Sequence, residues 1–239
     1  MNTQKVLLEI RDGIMTVTLN RPAKLNAIDN DLARQLLEAI SAAGRDEQVR
    51  VLMLRGAGRA FCAGRDVGAP PTEEDLVLVQ SVAAALVALP KPVVAAVHGW
   101  TVGAGLEWML DADLVIAAES TRFKLPEAGL GVFVTGGLTA TLPTYAGLAR
   151  AKGLMLLGDE FGAAQAHAWG LVWQVAADHE LEAAARSVSE RLARLAPEVV
   201  LRFKKVLNDI GLGHFQRAVE AENEAQRGLE TRDTAANRR

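Results

Sequence analysis

Residues 91–127 read KPVVAAVHGWTVGAGLEWMLDADLVIAAESTRFKLPE. Pro92 to Val97 and Leu114 to Ala117 are short, continuously apolar runs, the pattern of strands buried on both faces of a sheet. Between them lie the turn Gly103-Ala104-Gly105 and a short helical segment. Beyond the second run a turn ends in Pro126 and Glu127. A turn of small residues at a helix start exposes backbone N–H donors. Glu107 and Glu127 sit twenty positions apart, and two carboxylates near such donors suit proton transfer beside a stabilised oxyanion. A glutamate on an ordinary helix or turn is a solvated surface residue. Glu107, however, lies between Leu106 and the run Trp108, Met109 and Leu110, which argues for a buried or cleft carboxylate with a raised pKa.

Upstream, apolar runs from Val6 to Ile10 and from Ile14 to Leu19 flank Asp12-Gly13, a hairpin signal. A helical pattern runs from Asp29, its candidate N-cap, through Leu32, Leu36, Leu37 and Ile40, and fades at Gly44. Val49 to Leu54 reads as another buried strand. Thr72 caps a second helix that ends at about Leu89, before Pro90 and Pro92. Downstream, a glycine-spaced loop precedes helical material from about Leu138 to Leu157. Leu171 to Val175 reads as a last strand. Helices then follow over Leu181–Leu195, Pro197–Ile210 and from His214 to about Leu229. Strands alternating with helices predict an α/β fold with a mainly parallel sheet and helices outside it. With no low-complexity linker, the reading is one continuous domain, a core over 1–195 and a C-terminal helical extension over 196–239.

The 239 residues are half hydrophobic and under a quarter charged, with a net charge of −3. That balance gives no electrostatic case for nucleic acid. A single cysteine, Cys62, permits no intrachain disulfide. No signal-peptide run opens the chain, and no apolar stretch is long enough to span a membrane. The expected setting is cytoplasmic.

Several familiar chemistries are absent or obstructed. GAGLEW after a strand suggests a dinucleotide fold, but that fingerprint needs a small residue where Trp108 stands. No GxSxG, Walker-type GK[ST], HExxH or CxxC occurs, and the four histidines lack ligand spacing, so no metal site is expected. Cys62, between Phe61 and Ala63, reads as a small buried residue. AFCAGRD (Ala60–Asp66) follows the Val49–Leu54 strand. Together with the GAG turn it offers a second backbone donor at a neighbouring strand end, as an oxyanion hole requires.

These segments closely resemble the enoyl-CoA hydratase/isomerase (crotonase) superfamily, in order and over nearly the whole chain. NRPAKLNAI (Asn20–Ile28) is similar to its NRP-x-x-x-NA segment, and AFCAGRD to its FxAGxD loop. KPVVAAVHGWTVGAGLE is similar to KPxxAAxxGxxxGGGxE, and FKLPEAGLG to FxxPExxLG. GLMLLGDEFGAAQAHAWGLV resembles the later LTG…GLV segment. The resemblance implies a crotonase-like spiral of repeated ββα units, capped by a C-terminal helical layer that packs on neighbouring subunits in trimers or pairs of trimers. It implies an acyl-CoA thioester as substrate and no separate cofactor, since coenzyme A is part of the substrate, with fatty acid metabolism as the setting.

Carried over by position, the resemblance gives the oxyanion hole to the N–H groups of Arg65 and Ala104. It gives water activation to Glu107 and proton exchange at the α carbon to Glu127. Substrate contacts are implied at Lys24, Leu25, Ala63, Gly64, Asp66, Val67, Gly103, Trp108, Phe133 and Gly136. The implied activity is hydration of a trans-2-enoyl-CoA. Alternatives are a double-bond isomerase, another acyl-CoA-processing member and, from another class, a non-catalytic RNA-binding or scaffold relative. Ala104 stands where relatives commonly have glycine. Trp108 and Phe133-Val134-Thr135 suggest a distinctive acyl pocket, which the loops 67–72 and 133–137 are expected to shape. Arg238 and Arg239 are a further candidate contact for a coenzyme A phosphate, set against a frayed basic terminus.

Overall fold

Asp12 and Gly13 take φ of +53° and +76°, the two left-handed positions that a tight hairpin turn needs. The turn joins β1 (Val6–Arg11) to β2 (Ile14–Leu19) in antiparallel register, with Arg11 opposite Ile14. This computed structural model describes residues 4–66, 68 and 72–236, with side chains through 229. After the hairpin come α1 (Asn30–Arg45), β3 (Val51–Gly56) and α2 (Glu73–Ala88). The chain continues through β4 (Val93–Val97), β5 (Trp100–Val102), α3 (Ala104–Leu110), β6 (Leu114–Ala118), β7 (Arg122–Lys124) and α4 (Glu127–Leu130). Then follow α5 (Leu138–Ala146), α6 (Leu148–Leu157), β8 (Phe161–Gly162), α7 (Ala163–Ala168) and β9 (Gln174–Ala176). Three helices close the described chain: α8 (Leu181–Ala193), α9 (Pro197–Gly211) and α10 (Phe215–Ala236).

The main sheet runs β1-β2-β3-β4-β6-β9, parallel from β2 onward. Alternate residues of its strands enter two separate cores. Val17, Leu52, Ala95 and Ala117 join the core that holds α1, α2 and α3, whereas Ile14, Val51, Val94 and Ile116 pack against Leu181, Ala185 and Val188 of α8. Burial on both faces explains why these strands are apolar throughout rather than alternating. Both expected N-caps are present. Asp29 accepts from the Leu32 N–H at 2.9 Å, and Thr72 forms a reciprocal cap with Asp75.

A second, three-stranded sheet of β5, β7 and β8 stands beside the first. Cys62 pairs with Thr101 and Thr101 with Phe123, so each chain segment leaves the main sheet, lays one rung here, and enters a helix. That repetition is the spiral of ββα units that the resemblance implies.

Some elements differ from expectation. Trp100–Val102, to which the sequence reading gave no element, is a strand, because its rung is completed by Arg122–Lys124. The helical stretch before Leu157 breaks at Gly147, which takes φ of +83°. The last strand lies at Gln174–Ala176, and α10 extends beyond Leu229 to Ala236.

Candidate active site

Three backbone joins bring the early motifs together. Ala63 N–H donates to the Leu25 carbonyl (3.0 Å), Ile28 N–H to Gly64 (2.8 Å) and Asp66 N–H to Ile28 (2.8 Å). Asn26 makes this possible. It is fully buried with φ of +56°, which asparagine tolerates, and its side-chain amide reaches the Ala57 and Ala60 carbonyls at 2.9 and 2.8 Å. The rung at Ile28 uses the peptide groups on either side of Arg65 and turns Arg65's own N–H to the opposite side. That is the side on which Cys62 pairs with Trp100 and Val102.

Gly64 makes the approach close. It takes φ of +83°, and a Cβ there would lie 2.8 Å from the Val102 carbonyl and 3.6 Å from the Ala104 nitrogen. On the facing side, Gly103 precedes α3 with φ of +52° and ψ of −127°. Leu106 and Glu107 N–H both donate to its carbonyl, at 2.7 and 3.0 Å. The N–H groups of Ala104 and Gly105 stand at the open first turn of α3, where a helix supplies them no internal partner. The Arg65 and Ala104 donors therefore belong to two strand ends that the spiral places side by side.

Glu107 is one turn into α3 and only 1% exposed. Its Oε1 accepts from Thr135 N–H (3.1 Å), and its Oε2 accepts from Thr135 Oγ1 (3.1 Å) and Gly136 N–H (2.8 Å). Burial first, then the charges of Glu127 and Glu222, push its carboxyl up to about 8. Glu127 opens α4 after Pro126, and burial pushes it up to about 7. Its Oε2 is buried and has no partner among the described residues. A Cβ at Gly103 would meet its Oε1 at 2.6 Å, so Glu127 lies against the start of the helix that carries Glu107. Two carboxyls that titrate near neutrality, next to free backbone donors, can hold and move a proton at a carbon adjacent to a polarised carbonyl.

A cleft of about 590 Å³ opens beside Arg65, between the start of α1 and α2, and Lys24, Asp66 and Val79 help to line it. Asp66 is held by the Arg21 guanidinium at 2.9 Å, which keeps its carboxyl below the usual carboxylate range. Phe133 is partly exposed, and its N–H donates to Gln226 Oε1 at 2.7 Å. Trp108 is wholly buried, its indole N–H donating to the Val79 carbonyl at 3.1 Å across α2. Val67, most of the 67–72 loop, Arg238 and Arg239 lie outside the described residues.

Cys62 is buried, its thiol donates to the Asn26 carbonyl at 3.2 Å, and burial pushes it up to about 12, far from a nucleophile's range. His98 and His167 contact the carbonyls of Gly58 and Val172, each at 2.9 Å. Among the described residues no group of three or more His, Cys, Asp or Glu is placed to hold a metal ion, and no helix is long and apolar enough to cross a membrane.

Sequence reasoning missed Thr135 as the partner of Glu107, and missed Glu222 on α10. Glu222 is 1% exposed and accepts from the N–H groups of Gly137 and Thr139, each at 2.8 Å, and from Thr139 Oγ1 at 2.7 Å. Only the glycine pair Gly136-Gly137 signalled that this loop is pressed against other groups.

A family model described as enoyl-CoA hydratase/isomerase matches residues 9–235. The chain is 38% identical over 232 residues to a 1,2-epoxyphenylacetyl-CoA isomerase of Escherichia coli (strain K12), covering 93% of this chain and 88% of that protein. It is 32% identical over 215 residues to a short-chain-enoyl-CoA hydratase of Clostridium acetobutylicum, covering 87% and 82%. The crystal structure of an enoyl-CoA hydratase from Mycobacterium avium subsp. paratuberculosis K-10 superposes with a TM-score of 0.89 at 31% identity, covering 95% of this chain and 90% of that one. Fold, site geometry and these likenesses agree, and the chain belongs to the enoyl-CoA hydratase/isomerase family of the crotonase superfamily.

Proposed function

We propose that the protein adds water across the 2,3 double bond of a trans-2-enoyl-CoA. The observation that carries this reading is the pair of buried carboxyls, Glu107 and Glu127, both raised toward neutrality beside the first turn of α3. Between its two titration steps such a pair holds one proton, which gives one base and one acid. Three donors favour charge on Glu107, and none among the described residues faces Glu127 Oε2, so the shared proton belongs on Glu127 although Glu107 is the more deeply buried.

The thioester oxygen sits between the Arg65 and Ala104 N–H groups. Glu107 takes a proton from water as its oxygen bonds the β carbon, and the π electrons shift to give an enolate on the thioester oxygen. Glu127 then delivers its proton to the α carbon, and the proton on Glu107 passes to Glu127, which restores the starting state. Coenzyme A enters as part of the substrate, and this route uses no further cofactor. The apolar side chains that α9 exposes, among them Phe203, Leu207 and Ile210, support assembly as trimers or pairs of trimers.

One observation favours a second reading. Both oxygens of Glu107 are already engaged by Thr135 and Gly136, which would leave Glu127 as the single shuttle of a double-bond isomerase. A panel of 2-enoyl-CoA and 3-enoyl-CoA thioesters, scored for hydration against double-bond migration, tests both. Migration without hydration would overturn the hydratase assignment.

A further inference from the structure

The segment 133–139, a loop that runs into the first turn of α5, is gripped by two carboxylates. Glu107 takes the N–H groups of Thr135 and Gly136, and Glu222 takes those of Gly137 and Thr139. The donors of adjacent peptide groups, at Gly136 and Gly137, thus go to different acids. No side chain could intervene. A Cβ at Gly136 would lie 2.7 Å from Glu107 Oε2, and one at Gly137 would overlap the Phe215 ring at the start of α10. Helix α10 fastens the loop again through Gln226, which accepts from Phe133 N–H, and is itself tied to α2 by the amides of Asn223 and Gln80.

We infer that Glu222 is a positioning residue for catalysis: by fixing the peptide groups of Gly137 and Thr139 it sets the direction in which Thr135 and Gly136 hold the Glu107 carboxylate. This inference rests on the proposed hydratase reading. The acceptor-only pattern of Glu222, three donors on two oxygens, suits a carboxylate and is not reproduced by an amide. In a Glu222→Gln variant the new NH₂ group must face the N–H of either Gly137 or Thr139. The loop then shifts, and the Glu107 carboxylate shifts with it. The ionisable groups around Glu107 are Glu127 on α4, Glu222 on α10 and Asp111 at the end of α3. Removing the Glu222 charge therefore also eases ionisation of Glu107.

The test compares the full-length native protein with Glu222→Gln, using crotonyl-CoA. A misplaced base lowers kcat by roughly tenfold to a hundredfold with little change in KM, and the pH–rate profile moves to lower pH. A folded variant with native kcat and a native profile overturns the inference. Should Glu222→Gln fail to fold, Thr139→Ala removes one donor from Glu222 and is expected to lower kcat in the same direction; native kcat there overturns it as well. If the native protein hydrates no enoyl-CoA, the hydratase reading fails, and the positioning role is decided by a crystal structure of Glu222→Gln: the contacts of Thr135 and Gly136 to the Glu107 carboxylate are expected to be displaced, and unmoved contacts overturn the inference.

Discussion

Gly103 presses its bare Cα against the Glu127 carboxylate: a Cβ at that position would lie 2.6 Å from Oε1. The same residue takes φ of +52° and ψ of −127°, a conformation open to glycine and strained for any other residue. One glycine therefore sets two things, the start of α3 with its free N–H groups and the seat of Glu127. Gly103→Ala is expected to cost about 1–3 kcal/mol of stability through the backbone alone. By displacing Glu127 it should also lower kcat by roughly a hundredfold. Denaturant unfolding and steady-state kinetics on the same preparation separate the two effects, and a variant of native activity would show that Glu127 need not sit there.

Each glutamate has a separate place in the proposed reaction. Glu107→Gln and Glu127→Gln are each expected to slow hydration by roughly 10²–10⁴-fold while the circular dichroism spectrum is unchanged. The double variant should be scarcely worse than either single one, because the two groups act as a unit. Hydration that survives Glu107→Gln while Glu127→Gln abolishes all turnover would transfer the assignment to an isomerase.

The pH dependence follows from the same pair. Hydration needs Glu107 ionised and Glu127 protonated, so the rate should peak between the steps near 7 and 8 and fall on both sides. Stability moves in one direction only. Both folded values lie above the 4.5 of a glutamate in the unfolded chain, so the contribution of these groups is fully present below that value. It is lost as pH rises through the two steps of the pair, near 7 and near 8. Thermal unfolding from about pH 5 to about pH 9 should give a falling Tm, with a shallower slope in Glu107→Gln. A slope that does not change would mean that Glu107 is not the group responsible.

What was legible in the chain was local chemistry or strong periodicity. Asp12-Gly13 carries the positive φ of its turn, Asp29 and Thr72 cap the helices that follow them, and doubly buried strands are apolar at every position. The short strands of the second sheet were not legible. Three residues such as Trp100–Val102 have no periodicity of their own, and exist because Arg122–Lys124 stacks beside them. The catalytic candidates could be placed because apolar residues surround Glu107. Glu222 lies in AVEAENEAQ, where an acid on a long polar helix looks solvated, and the loop it holds is 85 positions away. Nor was the cover that α2 lays over Trp108 legible, since a bond to the Val79 carbonyl leaves no local pattern.

The attachment of α9 offers a last test, independent of the site. Lys204 is nearly buried, and its ammonium donates to Asp113 Oδ2 at 2.8 Å and to the Lys91 carbonyl at 3.1 Å. Asp113 Oδ2 also accepts from the Val93 N–H at 2.7 Å, at the start of β4. This one pair thus fastens a C-terminal helix to a strand of the main sheet. Lys204→Met would leave the Asp113 carboxylate, whose side chain is 25% exposed, with no cation beside it, at an expected cost of about 1–3 kcal/mol. Replacing both partners, as Lys204→Met with Asp113→Asn, should recover most of that loss, because no uncompensated charge remains and the Asn oxygen can still accept from Val93. Denaturant midpoints of the two single variants and the double variant decide the matter. Additive losses would mean that the two groups stabilise the fold separately and that their pairing does not fasten α9.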